Sequence, residues 1–199
     1  MSSVRLVYPG NGERDDFQKH LTAVFLENRQ LLRRVRSSAF SDLLEEVSIA
    51  RKIFFSAQGR AGYVLRCFCM RLMHLDYQVY FCGDTVTPAI EEGDLLIVLS
   101  GSGDTAWTLD AVKSARSRYA RTLGILGNAD SAIGRMVDRC IVIPGTTKLR
   151  RNGEPSSVQI SGSLFEQAAF FFLEATVLEL SRKRAHAGED LLARHAVVE

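Results

Sequence analysis

The sequence predicts an α/β fold in which a parallel sheet is covered by helices on both faces. Short apolar segments alternate with segments of helical periodicity, and this alternation is typical of crossover units in a parallel sheet. The apolar segments are continuously hydrophobic, as expected for strands that are buried on both faces. The chain has 199 residues, 46% of them hydrophobic, which is enough for one domain with a substantial core.

The predicted elements follow one another in a regular order. Two helices come first, over 15–35 and 40–50, with candidate caps at Asp15, Asp16 and Ser41. The predicted strands cover 52–57, 77–83, 94–100, 121–127 and 139–145. The later helical segments cover 63–75, 105–119, a turn with a short helix at 128–137, and 163–182. We expect tails over 1–14 and 186–199 and a single domain over 15–185.

The charge of the chain is nearly balanced, with 25 Lys and Arg against 23 Asp and Glu, a net charge of +2. Because no long basic run occurs, a nucleic-acid partner is not indicated. The N-terminus lacks a long apolar core, and no segment approaches the ~20 apolar residues of a membrane span. These observations predict a cytoplasmic protein.

No metal-binding or nucleotide-binding motif occurs in the sequence. Cys67 and Cys69 are separated by one residue and point in different directions on a helix, while Cys82 and Cys140 stand apart. We therefore expect reduced, mostly buried thiols and no metal. The patterns GxxxxGK[ST] and GxGxxG are also absent from the expected places, which disfavours a nucleotide cofactor.

Two glycine-containing turns follow predicted strands. The first contains Gly59 and Gly62, and the second runs from Ser100 to Thr105. Glycines let backbone N–H groups approach an anion closely, and the start of a helix adds amides and a positive dipole end. The two turns therefore predict a phosphate site at the carboxyl edge of the sheet. The alternative is an ordinary tight turn in which Asp104 or Thr105 caps the next helix.

Several motifs together resemble the SIS (sugar isomerase) domain family. They are GRAGYVLRCFCMRLMHL, GDTVTPAIEEGDLLIVLSGSGDT, NADSAIGRMVD and GSLFEQ, and the terminal RHAVVE is similar to an ending in that family. The resemblance covers 17–199 and is greatest to members that interconvert 3-hexulose 6-phosphate and fructose 6-phosphate. The chain departs from the family pattern at Ala61, where serine is usual, and at Ile160 and Val197.

The resemblance implies a three-layer α/β/α sandwich with a five-stranded, doubly wound parallel sheet of the flavodoxin-like type. It implies a homotetramer with active sites at subunit interfaces, acting on a sugar phosphate without a metal or an organic cofactor. It implies no nucleic-acid or membrane partner. In the members that interconvert 3-hexulose 6-phosphate and fructose 6-phosphate, the reaction follows the joining of formaldehyde to ribulose 5-phosphate in the ribulose monophosphate pathway.

The resemblance also assigns roles by position. Glu166 matches the catalytic base, and His74 matches a histidine that acts near the sugar. The positions that match the phosphate loop are Ser100, Gly101, Ser102, Gly103 and Thr105.

Other residues are candidates by their type and place in the sequence. Gly59 and Arg60 are candidates for phosphate contacts, Thr85 and Thr87 for sugar hydroxyls, and His195 for a contribution from the tail. For the two threonines, a polar turn before Pro88 is the alternative. The cations Lys148, Arg150 and Arg151 form either a solvated loop, which we favour, or a basic lid.

Moving a ketone between neighbouring carbons requires a base close to both, because a proton leaves one carbon and returns to the other through an enediol. A partly desolvated carboxylate suits this role, since burial makes it a better proton acceptor. Glu166 is the candidate, and its alternative is a structural acid in a capping pattern with Ser163.

His74 is a candidate proton carrier because imidazole titrates near neutral pH. A lone histidine on a mixed helix face also has an ordinary structural interpretation. His74 follows Gly62 by 12 residues, about 18 Å along a helix. We therefore expect it to serve the site of a neighbouring subunit rather than its own.

Three functions are compatible with these residues. The first is isomerisation of 3-hexulose 6-phosphate, and the second is a different aldose–ketose isomerase, for example of arabinose 5-phosphate. The third is a phosphosugar-binding protein without catalysis. A transcriptional sensor is disfavoured, because residues 1–51 supply only two predicted helices and no strongly basic face.

Overall fold

The computed structural model describes residues 11–145 and 156–186. The helices are α1 (Asn11–Leu32), α2 (Ser37–Ile49), α3 (Gly59–His74), α4 (Ala106–Ser117) and α5 (Ser163–His186). The strands are β1 (Ile53–Ser56), β2 (Val79–Phe81), β3 (Leu95–Ser100), β4 (Arg121–Leu126) and β5 (Arg139–Val142). The strands form one parallel sheet in the order β2-β1-β3-β4-β5. The predicted α/β fold with a five-stranded parallel sheet is confirmed.

Different helices cover the two faces of the sheet. Phe55 and Ile97 belong to a core that includes residues of α1, α2, α3 and α5. Their strand neighbours Phe54 and Val98 point to the opposite face and pack with residues of α4 and with Ile133. Because both faces are covered, β1 and β3 are buried along their whole length, which explains their unbroken apolar sequences.

The order of the strands creates a topological switch point between β1 and β3. These two strands are neighbours, but α3 leads from β1 to one side of the sheet and α4 leads from β3 to the other. Ligands of open α/β sheets bind in the crevice beyond the carboxyl ends of such strands. Both glycine-containing turns begin at this crevice.

The helix caps proposed from sequence are wrong. Asp15 and Asp16 lie inside α1, which begins at Asn11, and Ser41 lies inside α2. Acidic side chains suit the first turns of a helix as well as its cap, because the helix dipole attracts them at both places. Sequence alone therefore cannot separate these positions.

The short helix predicted at 128–137 is also wrong, because this segment consists of turns. Asn128 Oδ1 accepts a hydrogen bond from the Asp130 amide at 2.9 Å, and the Ser131 hydroxyl donates to the Asn128 carbonyl at 2.9 Å. Ser131 Oγ in turn accepts from the Gly134 amide at 3.1 Å. Such side-chain bonds to nearby backbone replace helical bonds.

The two longest helices, α1 and α5, have 22 and 24 residues and pack against each other. Despite their length they are not membrane spans. Among the described residues, no helix is both long and apolar enough to cross a membrane.

Candidate functional site

A cavity of about 210 Å³ lies at the switch point between β1 and β3. It is lined by the β1–α3 turn, the β3–α4 loop and the first turn of α5. Arg60 and Glu166 lie in its wall together with four of the five residues of the predicted phosphate loop, Ser100, Gly101, Ser102 and Thr105. The structure therefore brings the predicted phosphate loop and the predicted base to one cavity.

The β3–α4 loop is held in shape by its own hydroxyl groups. Ser100 Oγ accepts a hydrogen bond from the Gly103 amide at 3.1 Å and lies 3.2 Å from Thr105 Oγ1. Ser102 Oγ accepts from the Asp104 amide at 3.2 Å. A hydroxyl that accepts in this way keeps its own proton to donate. The loop is thus preformed, and Ser102 retains a donor for an anion.

The loop is also fixed from behind by the turn that follows β4. Gly103 has a positive φ of 70°, and a Cβ added there would lie 2.0 Å from Ser131 Oγ. Its carbonyl accepts from the Ile133 amide at 2.9 Å, and Asp104 Oδ1 accepts from the Ala132 amide at 2.9 Å. Gly103 therefore shapes the loop rather than lining the cavity, and only glycine fits there.

The capping alternative is not supported for Thr105. Thr105 occupies the N-cap position of α4, but within the described residues its side chain makes no capping hydrogen bond. The Asp104 carboxylate accepts a hydrogen bond from the Ala132 amide, in the turn that follows β4. The polar side chains of the loop thus hold the loop itself and its neighbouring turn.

The β1–α3 turn is built differently. Gly59 has a positive φ of 61° and begins α3 directly, and a Cβ added at Gly62 would lie 3.2 Å from the Ala57 carbonyl oxygen. The turn contributes Gln58, Arg60 and Ala61 to the cavity. It supplies a charged side chain in place of the hydroxyls of the other loop.

Glu166 lies in the first turn of α5 and is 6% exposed. Its Oε2 accepts a hydrogen bond from Arg60 Nε at 2.5 Å. The preceding residue, Phe165, packs on the β3–α4 loop, because a Cβ added at Gly101 would lie 3.2 Å from its ring. The absence of a side chain at Gly101 therefore lets α5 bring Glu166 close to the phosphate loop.

The sequence did not reveal that α1 holds the segment leading into α5. The Glu27 carboxylate accepts hydrogen bonds from the Ser157 hydroxyl at 2.7 Å, the Val158 amide at 2.8 Å and the Gln159 side chain at 2.8 Å. Burial alone would raise the pKa of Glu27, but these hydrogen bonds outweigh it and lower the pKa below its ordinary value. Glu27 therefore binds the segment as a carboxylate.

A second contact from α1 reaches α5 itself. Asn28 is 2% exposed, and its Nδ2 donates to Gln167 Oε1 at 2.7 Å. Gln167 is the neighbour of Glu166 in the chain, so this contact helps to fix the first turns of α5. Partners 139 residues apart leave no local signal in the sequence.

Other predicted site residues lie away from this cavity. His74 is the last residue of α3, about 18 Å along the helix axis from Gly62. Its side chain is largely buried, with 9% of the residue exposed.

The two predicted threonines also lie away from the cavity. Thr85 is exposed, and Thr87 donates to the Phe81 carbonyl at 2.7 Å beside a separate, mainly apolar pocket. His195, Lys148, Arg150 and Arg151 lie outside the described residues.

The cysteines are free thiols, and their burial differs from the prediction. Cys67 is exposed, whereas Cys69, Cys82 and Cys140 are half-buried. Burial raises the pKa of the Cys69 thiol to about 12 and that of Cys82 to about 11, so both are protonated near neutral pH. Among residues 11–145 and 156–186, no cluster of three or more His, Cys, Asp or Glu could hold a metal ion.

Two contributors to the cavity wall escaped the sequence analysis. Gln58 directly precedes the first glycine turn, and its place at the end of β1 was the available signal. Phe165 reads in the sequence as an ordinary apolar helix residue, and its contact with Gly101 depends on the tertiary fold.

Two known proteins are similar to this chain over most of its length. A 3-hexulose-6-phosphate isomerase of Mycobacterium gastri is 36% identical over 185 residues, covering 93% of this chain and 92% of that protein. The corresponding protein of Bacillus subtilis is 32% identical over 180 residues, covering 90% and 92%.

A solved structure and a family model also match this chain. The solved structure is that of a Methanococcus jannaschii protein, and it infers a function of 3-hexulose-6-phosphate isomerase. It matches with a TM-score of 0.74 and 28% identity, covering 91% of this chain and 99% of that one. A family model of the SIS domain matches residues 46–169, which include both glycine turns and Glu166. The chain belongs to the SIS domain family.

Proposed function

We propose that this protein is a phosphosugar isomerase that interconverts 3-hexulose 6-phosphate and fructose 6-phosphate. The observation that carries the proposal is the shared cavity, in which a preformed Ser/Gly/Thr loop faces the carboxylate of Glu166. The relatives from Mycobacterium gastri and Bacillus subtilis support the choice of substrate, because they match over nearly their whole length.

In the proposed mechanism, the loop binds the phosphate and Glu166 moves the proton. Hydroxyls of Ser100, Ser102 and Thr105, with the amides that begin α4, hold the phosphate and perform no chemistry. Glu166 removes the proton from C2 of 3-hexulose 6-phosphate, which gives a 2,3-enediol, and returns a proton to C3. The electron pairs shift within the sugar, so the step requires no external oxidant or reductant.

The second proposed group, His74, would act on another subunit's substrate. Its place at the far end of α3 separates it from the cavity of its own chain. We propose a homotetramer in which a neighbouring copy brings His74 to the sugar oxygens, where an imidazole exchanges protons near neutral pH. A cytoplasmic setting and a place in the ribulose monophosphate pathway complete the proposal.

A coupled assay tests the function. Purified protein is added to ribulose 5-phosphate, formaldehyde and a hexulose-phosphate synthase, and fructose 6-phosphate is measured. The proposal expects fructose 6-phosphate only when both proteins are present, and far less of it with the Glu166→Gln variant.

Two other results would redirect the assignment. Activity on arabinose 5-phosphate without fructose 6-phosphate formation would favour a different aldose–ketose isomerase. Binding of sugar phosphates without turnover of either substrate would favour a binding protein.

A further inference from the structure

We propose that Arg60 is a transferable counter-ion, which neutralises Glu166 until the substrate phosphate draws it away. This inference rests on the proposed function and adds a step to it. Phosphate binding and activation of the base become one event, because the same guanidinium serves both anions in turn.

The pair of Arg60 and Glu166 is strongly asymmetric. Their side chains are joined by a hydrogen bond of 2.5 Å, yet the Arg60 side chain is 66% exposed and the Glu166 side chain only 8%. Glu166 is held by the buried first turn of α5, whereas most of the Arg60 side chain faces solvent and can change its rotamer. A phosphate that enters the cavity therefore competes for a guanidinium that is free to turn.

The charge of the cavity makes this competition effective. Among the described residues of its wall, Arg60 is the only cation and Glu166 the only carboxylate. A phosphate dianion carries more charge than a carboxylate, and its oxygens accept two parallel hydrogen bonds from a guanidinium. A dianion seated in the β3–α4 loop, in the same cavity, is therefore the stronger partner for Arg60.

Transfer of Arg60 changes what Glu166 can do. A buried carboxylate that has lost its cation carries an unpaired charge away from water, which is energetically unfavourable. Taking up a proton removes that charge. The available proton is the one on the sugar carbon beside the carbonyl. Glu166 takes it, the enediol forms, and the proton goes to the neighbouring carbon, so that Glu166 is again a carboxylate when the product leaves with its phosphate.

Arg66 supplies a matched control on the same helix. It forms two hydrogen bonds with Asp84, at 2.9 and 3.2 Å, and both side chains are about half exposed. This pair lies outside the wall of the cavity. Arg66→Met therefore removes an exposed arginine from α3 without touching Glu166.

The first part of the test needs no turnover. The Arg60 Nε–H resonance, assigned by its loss in Arg60→Met, is followed by nitrogen NMR while inorganic phosphate is added to wild type and to Glu166→Gln. The inference expects the chemical shift of this resonance to differ between the two proteins without phosphate. With phosphate bound, the two proteins should share one chemical shift, because Arg60 has then left residue 166. Chemical shifts that still differ between wild type and Glu166→Gln with phosphate bound would overturn the inference.

The second part measures catalysis on a sugar that lacks phosphate. Exchange of the C3 proton of fructose into D₂O is recorded with and without phosphite, which serves as a separate dianion. Phosphite should accelerate wild type and Arg66→Met by about 100-fold. Arg60→Met should be about 10-fold faster than wild type without phosphite and gain less than about 2-fold from it. Acceleration by phosphite that survives in Arg60→Met would overturn the inference.

The two parts separate this inference from the proposed function. Transfer of Arg60 to phosphate without isomerisation of hexulose 6-phosphate would overturn the reaction and leave the counter-ion exchange standing. Isomerisation with Arg60 still bound to Glu166 would overturn the exchange alone. Failure of phosphate to bind in the loop would overturn both.

Discussion

The two glycine turns beside the cavity follow neighbouring strands but are built for different purposes. The β3–α4 loop has three internal contacts made by hydroxyl groups and is tied to the turn after β4. The β1–α3 turn instead projects one charged side chain, Arg60, toward the buried Glu166. The β3–α4 loop is a fixed receptor, and the β1–α3 turn supplies a charge.

This difference teaches that one edge of a sheet can divide binding from chemistry. A rigid loop holds an anion without reorganising, which makes it suitable for recognition. A charged side chain that is two-thirds exposed, such as that of Arg60, is suited to change partners. Loss of a hydroxyl from the β3–α4 loop should therefore change KM, whereas changes to the pair of Arg60 and Glu166 should change turnover. The following changes test this account from the largest expected effect to the smallest.

Glu166→Gln should have the largest effect, a loss of turnover of about 1,000-fold, because the amide cannot accept the proton. Binding of the phosphosugar should persist, since the β3–α4 loop is untouched. Steady-state kinetics and calorimetric binding provide the measurements. Glu174→Gln, on the same helix but outside the cavity wall, is the control. Unchanged turnover in Glu166→Gln would refute its role.

Gly103→Ala should lower the free energy of unfolding by about 2–4 kcal/mol and weaken phosphate binding, because the new Cβ meets Ser131 and the backbone has a positive φ. Urea unfolding and phosphate titration measure the two effects. Gly93→Ala is the control, since Gly93 also has a positive φ, of 86°, but its added Cβ would come no closer than 3.9 Å to Arg51. An equal loss of phosphate affinity in both variants would argue against a shaped receptor loop.

Ser102→Ala should raise KM about 10-fold and leave kcat nearly unchanged, because one hydrogen bond to a charged group is lost. The exposed Ser117→Ala, at the end of α4, should leave both constants at their wild-type values. Initial-rate kinetics separate the constants. A fall in kcat at constant KM would place Ser102 in the chemistry rather than in binding.

Ala61→Ser should have the smallest effect, a fall in KM of about 3-fold. Ala61 lies in the cavity wall, so a hydroxyl there adds a hydrogen-bond donor to the cavity. The same kinetic assay measures it. A higher KM would mean that the cavity wall has no room for a hydroxyl oxygen at this position.

The fold was predictable because its signals are local. Continuous apolar segments such as Leu95–Ser100 are typical of strands buried on both faces, and the glycines after them indicated the ligand-binding edge of the sheet. The phosphate loop was predictable for the same reason, since its residues are consecutive.

The rest depended on contacts between distant residues. Arg60 and Glu166 are 106 positions apart, so their ion pair left no pattern in the sequence. The prediction of a short helix at 128–137 is wrong because the composition of this segment does not reveal that Ser131 bonds to the Asn128 carbonyl and packs against Gly103. The role of α1 could not be predicted for the same reason, because the groups that donate hydrogen bonds to Glu27 follow it by 130 positions or more.

The most direct test of the central claim, that Glu166 moves a proton between C2 and C3 of a sugar phosphate, is hydrogen exchange of fructose 6-phosphate in D₂O. Proton NMR identifies the carbon that exchanges. We predict that wild type exchanges the C3 proton and that Glu166→Gln does so about 1,000-fold more slowly. Exchange at C1, which marks a 1,2-enediol, or undiminished C3 exchange in Glu166→Gln would contradict the account.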